Sequence, residues 1–367
     1  MTKLYVWSLA TRIFHILFIV LTLLVYISSE FDKLLEYHVI FAYSMGLLVL
    51  GRIAWGFMDI EYSKFKDFNL KIKDLKDYMF SVLFNKKEYI GHNPASSWAI
   101  ISMFALVLIS VVTGSLTFGT QEGMGIFSYL NTTFFKEMEL FEELHEFFSQ
   151  LFFIIVIIHI IGVILDRYLH KTKNIESMIY GYKNSIRQIQ NIRLTIIQKL
   201  FSIIWITLPI LLSIYLLTQE NNFLLKDTNK ISNYQLEHPL FYNECISCHT
   251  LYPPHLLSSS SWSNIMDDLE NHFGDDASLD EEDTKKIKDY LVKNSAEFSS
   301  KESAFKMLIS DTNNLGITKS NYWKQTHSFL DKKYQKENEI KNISNCKVCH
   351  NNIEKGLLND KDIKIMI

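Results

Sequence analysis

The four cysteines of the chain fall into two Cys-x-x-Cys-His runs, Cys245-Ile-Ser-Cys248-His249 and Cys346-Lys-Val-Cys349-His350, with none left over. Two thiols at this spacing can form thioethers to the vinyl groups of a haem while the adjoining histidine ligates its iron. Zinc is the competing chemistry, since four cysteines and two histidines can also hold that metal. The histidine attached to each pair, repeated twice, favours two covalent haems c over zinc, and no disulfide is expected.

A second set of ligand-type residues lies in apolar sequence. The run Leu144–Leu165 carries His145 and His159. Fourteen residues at 100° each fall about 40° short of four full turns, so both imidazoles lie on one helix face about 21 Å apart. That is nearly the depth of a bilayer core. An ionisable residue inside a membrane span marks a functional site, and imidazole is an axial ligand of haem iron.

The elements that must position these residues are five apolar segments, about Leu9–Ile27, His38–Met58, Trp98–Phe118, Leu144–Leu165 and Leu200–Leu217. The first resembles a secretory signal, but no small-residue cleavage site comes after it and it is long enough to span. Seven lysines lie between Asp59 and Ser97, and seven Lys or Arg residues from Asp166 to Lys199. The connection Gly119–Glu143 holds Lys136 against Glu122, Glu137, Glu139, Glu142 and Glu143. The positive-inside rule makes the first two of these three charged connections cytoplasmic and the third external, leaving the N-terminus inside and the C-terminal half outside.

Depth is then set by direction of travel. His15 and His159 fall near the inner face, His38 and His145 near the outer one. Each pair can hold one bis-histidine haem b, whereas lone membrane histidines would merely hydrogen-bond to neighbouring helices. Gly46, Gly51, Gly114 and Gly162 would admit either a flat macrocycle or a close helix neighbour. Arg12 and Arg52, toward the cytoplasmic ends, would either pair with haem propionates through a guanidinium fork or snorkel to the interface. His92 and His170 lie in the cytoplasmic flanks and read as surface residues. The basic stretch Asp166–Lys199 reads as an interfacial helix or a solvated connector, and the fifth segment as a tether for the C-terminal half of the chain.

Composition agrees with this division. Of 367 residues, 48% are hydrophobic and 14% aromatic, with a formal charge of −3, a balance suited to a membrane part joined to a soluble part. No charge excess points to nucleic acid, and there is no Gly-rich phosphate loop. The outer part, from about Thr218, is polar and lysine-rich yet slightly acidic. It offers His238, His255, His272, His327, Met266 and Met307 as sixth ligands for the haem c irons, and sequence order does not choose among them. Ser278–Glu297 reads as a charged surface helix, with Asp280–Asp283 where acids favour the dipole.

Residues 4–183 resemble the bacterial cytochrome b561 and nickel-hydrogenase cytochrome b family. The resemblance rests on Val6-Trp7-Ser8 leading to Thr11-Arg12-Ile13-Phe14-His15, on Tyr37-His38, and on Gly51-Arg52-Ile53-Ala54-Trp55-Gly56-Phe57. Gly91-His92-Asn93-Pro94-Ala95, Leu144-His145-Glu146 and His159 extend it. It implies a four-helix bundle with two haems b that exchanges electrons with a quinone pool or a partner subunit. Residues 240–367 resemble the dihaem cytochrome c family, through residues 245–254, the run Leu269-Glu-Asn-His272-Phe-Gly-Asp-Asp-Ala277, Ile317-Thr318, and Tyr322-Trp323-Lys-Gln-Thr-His327. That resemblance implies His272 and His327 as distal ligands and leaves His255 a surface substitution.

The expected architecture is an all-α membrane protein: a four-helix transmembrane haem b bundle, a fifth transmembrane helix and a mostly α-helical soluble dihaem cytochrome c domain. The expected boundaries are 1–183, 184–217 and 218–367. The expected setting is the bacterial inner membrane, with the C-terminal domain in the periplasm. The expected function is four-haem electron transfer between quinone or a membrane partner and a periplasmic redox protein, with quinol:cytochrome c-type oxidoreductase activity as the enzymatic form. The alternative is a non-catalytic anchor and wiring subunit of a hydrogenase- or dehydrogenase-type complex.

Overall fold

The structure is a computed structural model that describes residues 2–60, 62–81, 89–185, 194–219, 222–227, 231–310, 316–330, 335, 343–358 and 363–364. Among these, five helices are long and apolar enough to cross a membrane: Leu9–Ser29, Leu35–Met58, Pro94–Thr120, Leu140–His170 and Ile196–Thr218. Each expected apolar segment lies inside one of them. The third begins four residues before its apolar run because Asn93 caps it, accepting the Ser96 N–H at 2.7 Å, and Pro94 suits a first turn where no N–H is needed.

The chain forms two compact units, one of Met1–Thr117 with Leu140–Leu225 and one of Phe118–Glu139 with Lys226–Ile367. In the first, Phe14, Phe18, Leu48, Trp55, Val107, Phe152 and Trp205 make the core. Phe14 and Phe18 stack at 5.5 Å, and Trp205 of the fifth span lies 5.9 Å from Phe14 and 6.4 Å from Trp55. Lipid tails are as apolar as these side chains, so the helices associate through close packing rather than exclusion of water. The fifth span is therefore more than the tether expected of it. Ser213 hydrogen-bonds Ser44 at 2.7 Å, and a Cβ at Gly51 would lie 2.9 Å from Trp205.

The basic stretch after the fourth span also departs from expectation. Asn174–Tyr180 is a short helix, and Tyr182–Ser185 is a strand, β2, paired antiparallel with Thr2–Tyr5, β1. Gly181, at φ +86°, makes the turn between them, and its carbonyl accepts the Val6 N–H at 2.8 Å. An isolated sequence window could not reveal the pairing, because its partner lies at the other end of the bundle sequence. Residues 186–193 of the stretch lie outside the described residues.

The second unit is built of short helices, including Pro239–Ile246, Ser259–Asp267, Glu281–Lys293, Glu302–Ser310 and Asn321–Thr326. Phe241, Leu251, Trp262, Ile287, Leu291 and Met307 form its core. Four of these helices start at capping side chains, His238, Ser258, Asp280 and Ser320, each accepting an N–H from the first turn. The expected charged helix is Glu281–Lys293, with Ile287 and Leu291 turned inward one turn apart.

Candidate functional site

Six of the described histidines meet in three pairs. His38 of the second span and His145 of the fourth lie 6.2 Å apart between ring centres. In the second unit His249 lies 6.1 Å from His272, and His350 lies 6.0 Å from His327. His15 and His159 are within electrostatic reach of one another. Two metal–imidazole bonds of about 2 Å each would set ring centres roughly 6 Å apart, so these separations would suit two imidazoles sharing one iron.

Ring orientation agrees. The Nδ1–H of His38 donates to the Val25 carbonyl at 3.0 Å and that of His145 to the Ser110 carbonyl at 2.9 Å. His249 donates likewise to Thr250 at 2.7 Å and His327 to Trp323 at 3.0 Å. A bond of this kind fixes the tautomer and leaves Nε2 with its lone pair for a metal. These carbonyl partners were not legible in the sequence, except that Trp323 lies one helical turn before His327. Gly114 supplies space beside the His38–His145 pair, where a Cβ would lie 2.8 Å from His145 Cε1. Gly46 and Gly51 instead face Val111 and Trp205, which is helix packing, and a Cβ at Gly162 would meet nothing within 4 Å.

The two cysteine motifs are adjacent. Thr250, next to His249, donates to Asn345 at 3.1 Å, and the Tyr252 hydroxyl donates to the Ser344 carbonyl at 2.5 Å, just before Cys346. Burial pushes the Cys245 thiol up to about 12 and the Cys346 thiol to about 11, keeping both protonated. No group of three or more His, Cys, Asp or Glu converges among the described residues. Donors that come in pairs suit an axial iron site and not tetrahedral zinc.

Residues 6–181 match the family model of prokaryotic cytochrome b561, and residues 241–358 that of dihaem cytochrome c. The chain joins a cytochrome b561 region to a dihaem cytochrome c region. Its dihaem part is similar to a solved diheme cytochrome c from Rhodobacter sphaeroides, at 38% identity over 33% of this chain and 95% of that one, TM-score 0.29. It is also similar to one from Shewanella baltica OS155, at 32% identity over 34% and 90%, TM-score 0.28. No curated protein matches the chain. The two families and the apolar helices make this a membrane electron-transfer protein of haem b and haem c type.

Other candidate ligands of the dihaem cytochrome c region are engaged elsewhere. His238 caps Pro239–Ile246 by accepting the Phe241 N–H at 3.1 Å, and it stacks on Tyr290 at 4.3 Å. Met266 is core, and the Met307 sulfur accepts the Ser320 hydroxyl at 3.3 Å. His255 is not the surface residue expected. It is 5% exposed, with Nε2 unpartnered, because the turn Pro254–Leu256 is itself buried and carries it inward. Burial, reinforced by Lys301, lowers its pKa well below the usual histidine value.

In the cytochrome b561 region, His92 is likewise no surface residue. It packs against Trp7 at 4.7 Å and Phe68 at 4.5 Å, and burial, with Arg52 and Lys183 adding, lowers its pKa to about 3. The side chain of His170 lies outside the described residues. Arg52, 3% exposed, does not snorkel: Nη2 donates to the Ser63 carbonyl at 3.3 Å, its plane lies near Phe14 and Phe65, and Nη1 is buried without a partner. Arg12 donates to the Ile179 carbonyl at 2.6 Å while its Nε is buried without a partner. Both guanidiniums keep a donor that fits an anionic carboxylate.

Proposed function

We propose that the chain is a four-haem conduit. His15 with His159 and His38 with His145 hold two haems b, and Arg12 and Arg52 take propionates. Cys245, Cys248 and His249, with His272 as distal ligand, hold one haem c; Cys346, Cys349 and His350, with His327 as distal ligand, hold the other. When bound, the haems supply one-electron chemistry, iron cycling between its ferrous and ferric states. In sequence terms 1–183 is the membrane dihaem cytochrome b, 184–217 the connector and fifth span, and 218–367 the dihaem cytochrome c.

The observation that carries this reading is the pairing of histidines about 6 Å apart, with the Nδ1 of at least one member of each pair tied to a backbone carbonyl. Loop charge supports a cytoplasmic N-terminus and a periplasmic cytochrome c domain in a bacterial inner membrane. The chain passes electrons between the quinone pool or a membrane partner on the haem b side and a periplasmic redox protein on the haem c side. Purified protein mixed anaerobically with a quinol analogue is expected to show reduced haem b before reduced haem c, and His145→Ala is expected to block the second step. Haem c reduction at an unchanged rate in that variant, or no reduction by quinol, would replace the conduit with a wiring subunit of a separate enzyme.

A further inference from the structure

The segment between the third and fourth spans belongs to the cytochrome c unit. Its Gly125 N–H donates to the Lys226 carbonyl at 3.0 Å, and Met124 pairs with Asp227 in an antiparallel bridge. Gly123 and Gly125, at φ +68° and +73°, bend the backbone into that pairing. With its side-chain amide turned to satisfy its neighbours, Asn131 donates to the Ser300 carbonyl at 2.7 Å and accepts the Gly123 N–H at 2.7 Å. Lys136 is 1% exposed, with Glu302 and Glu122 as its nearest opposite charges. Backbone pairing, a side-chain amide and a buried cation together exceed what a loop brushing a neighbouring surface would show.

Both ends of this segment run directly into spans, at Thr120 and at Leu140, five residues before His145. The cytochrome c unit is thus joined to the membrane helices at three chain crossings, not only at the one after the fifth span. We propose that the 118–139 segment is a clip that holds the cytochrome c unit to the membrane helices independently of the fifth-span tether. A domain on one flexible tether explores a volume set by tether length, whereas a clipped one does not, so electron exchange would be insensitive to that length. The proposal stands whichever donor the haems b use.

The test inserts a protease recognition sequence between Gln219 and Asn222 of the full-length holoprotein in membranes. After cleavage and a high-salt wash, the haem-staining C-terminal fragment is expected in the membrane pellet, and in the supernatant when the same cut is made in Gly125→Pro/Lys136→Ala. Release from the otherwise unaltered chain would overturn the proposal; retention in the variant would do so too, by assigning the hold to lipid or another surface. Should that variant fail to fold, a Met124→Cys/Asp227→Cys pair replaces it. On a non-reducing gel after cleavage, oxidation is expected to keep the two fragments in one band, and two separate bands would count against the clip.

Discussion

The two units bring histidines to the same spacing by opposite means. In the cytochrome b561 unit the partners are far apart in sequence, His38 and His145, and rigid helices carry each to its depth. In the cytochrome c unit the partners are His249 with His272 and His327 with His350, each only 23 residues apart in sequence. The haem chemistry differs accordingly. A haem b held by iron bonds alone depends on both imidazoles, while thioethers keep a haem c on the chain whatever becomes of its distal ligand. On the proposed assignment, placement in the cytochrome b561 unit is the work of helices, and in the cytochrome c unit it would be shared with thioether bonds.

The largest expected effect separates the two modes of attachment outright. Replacing all four of Cys245, Cys248, Cys346 and Cys349 with Ala should abolish haem staining on denaturing gels and leave haem b spectra, while replacing one pair should leave about half the stain. Next, His15→Ala and His159→Ala should each lose the same haem b, and His38→Ala and His145→Ala the other, about half the haem b absorbance in each case. Loss of spectroscopically different haems by His15→Ala and His159→Ala would break the pairing. In the cytochrome c unit His272→Ala and His327→Ala should keep both haems and each convert one to a high-spin form that binds carbon monoxide. Fully low-spin spectra in both would move the sixth ligand elsewhere.

Smaller effects test the surroundings. Gly114→Ala would put a methyl 2.8 Å from His145, so the outer haem b should shift its redox potential while the inner one keeps its own. His255→Ala should leave both haem c spectra unchanged but alter pH dependence. His255 stays neutral in the fold, whereas the unfolded chain takes up a proton near its usual value of about 6.5. Stability should therefore fall as pH drops below about 6.5, by up to about 1.4 kcal/mol per pH unit for one group. Thermal unfolding tracked by haem c dichroism from pH 7.5 to 5 should show this slope, reduced in His255→Ala.

Five apolar helices, two cysteine motifs and the pairing of His38 with His145 were legible in the order of residues. A helix advances 1.5 Å per residue without regard to its neighbours, so position along the chain converts directly into depth. Folding settled everything that depends on contacts between distant residues. His272 falls beside His249 and His327 beside His350, pairings that no such arithmetic yields. His255 is buried and His92 packs against Trp7 and Phe68, because burial depends on what packs over a side chain and not on its type. The fifth span joins the membrane core through Trp205, and the 118–139 segment joins the cytochrome c unit through Gly125 and Lys136. Each is a pairing of surfaces, and a surface finds its partner only once the chain has folded.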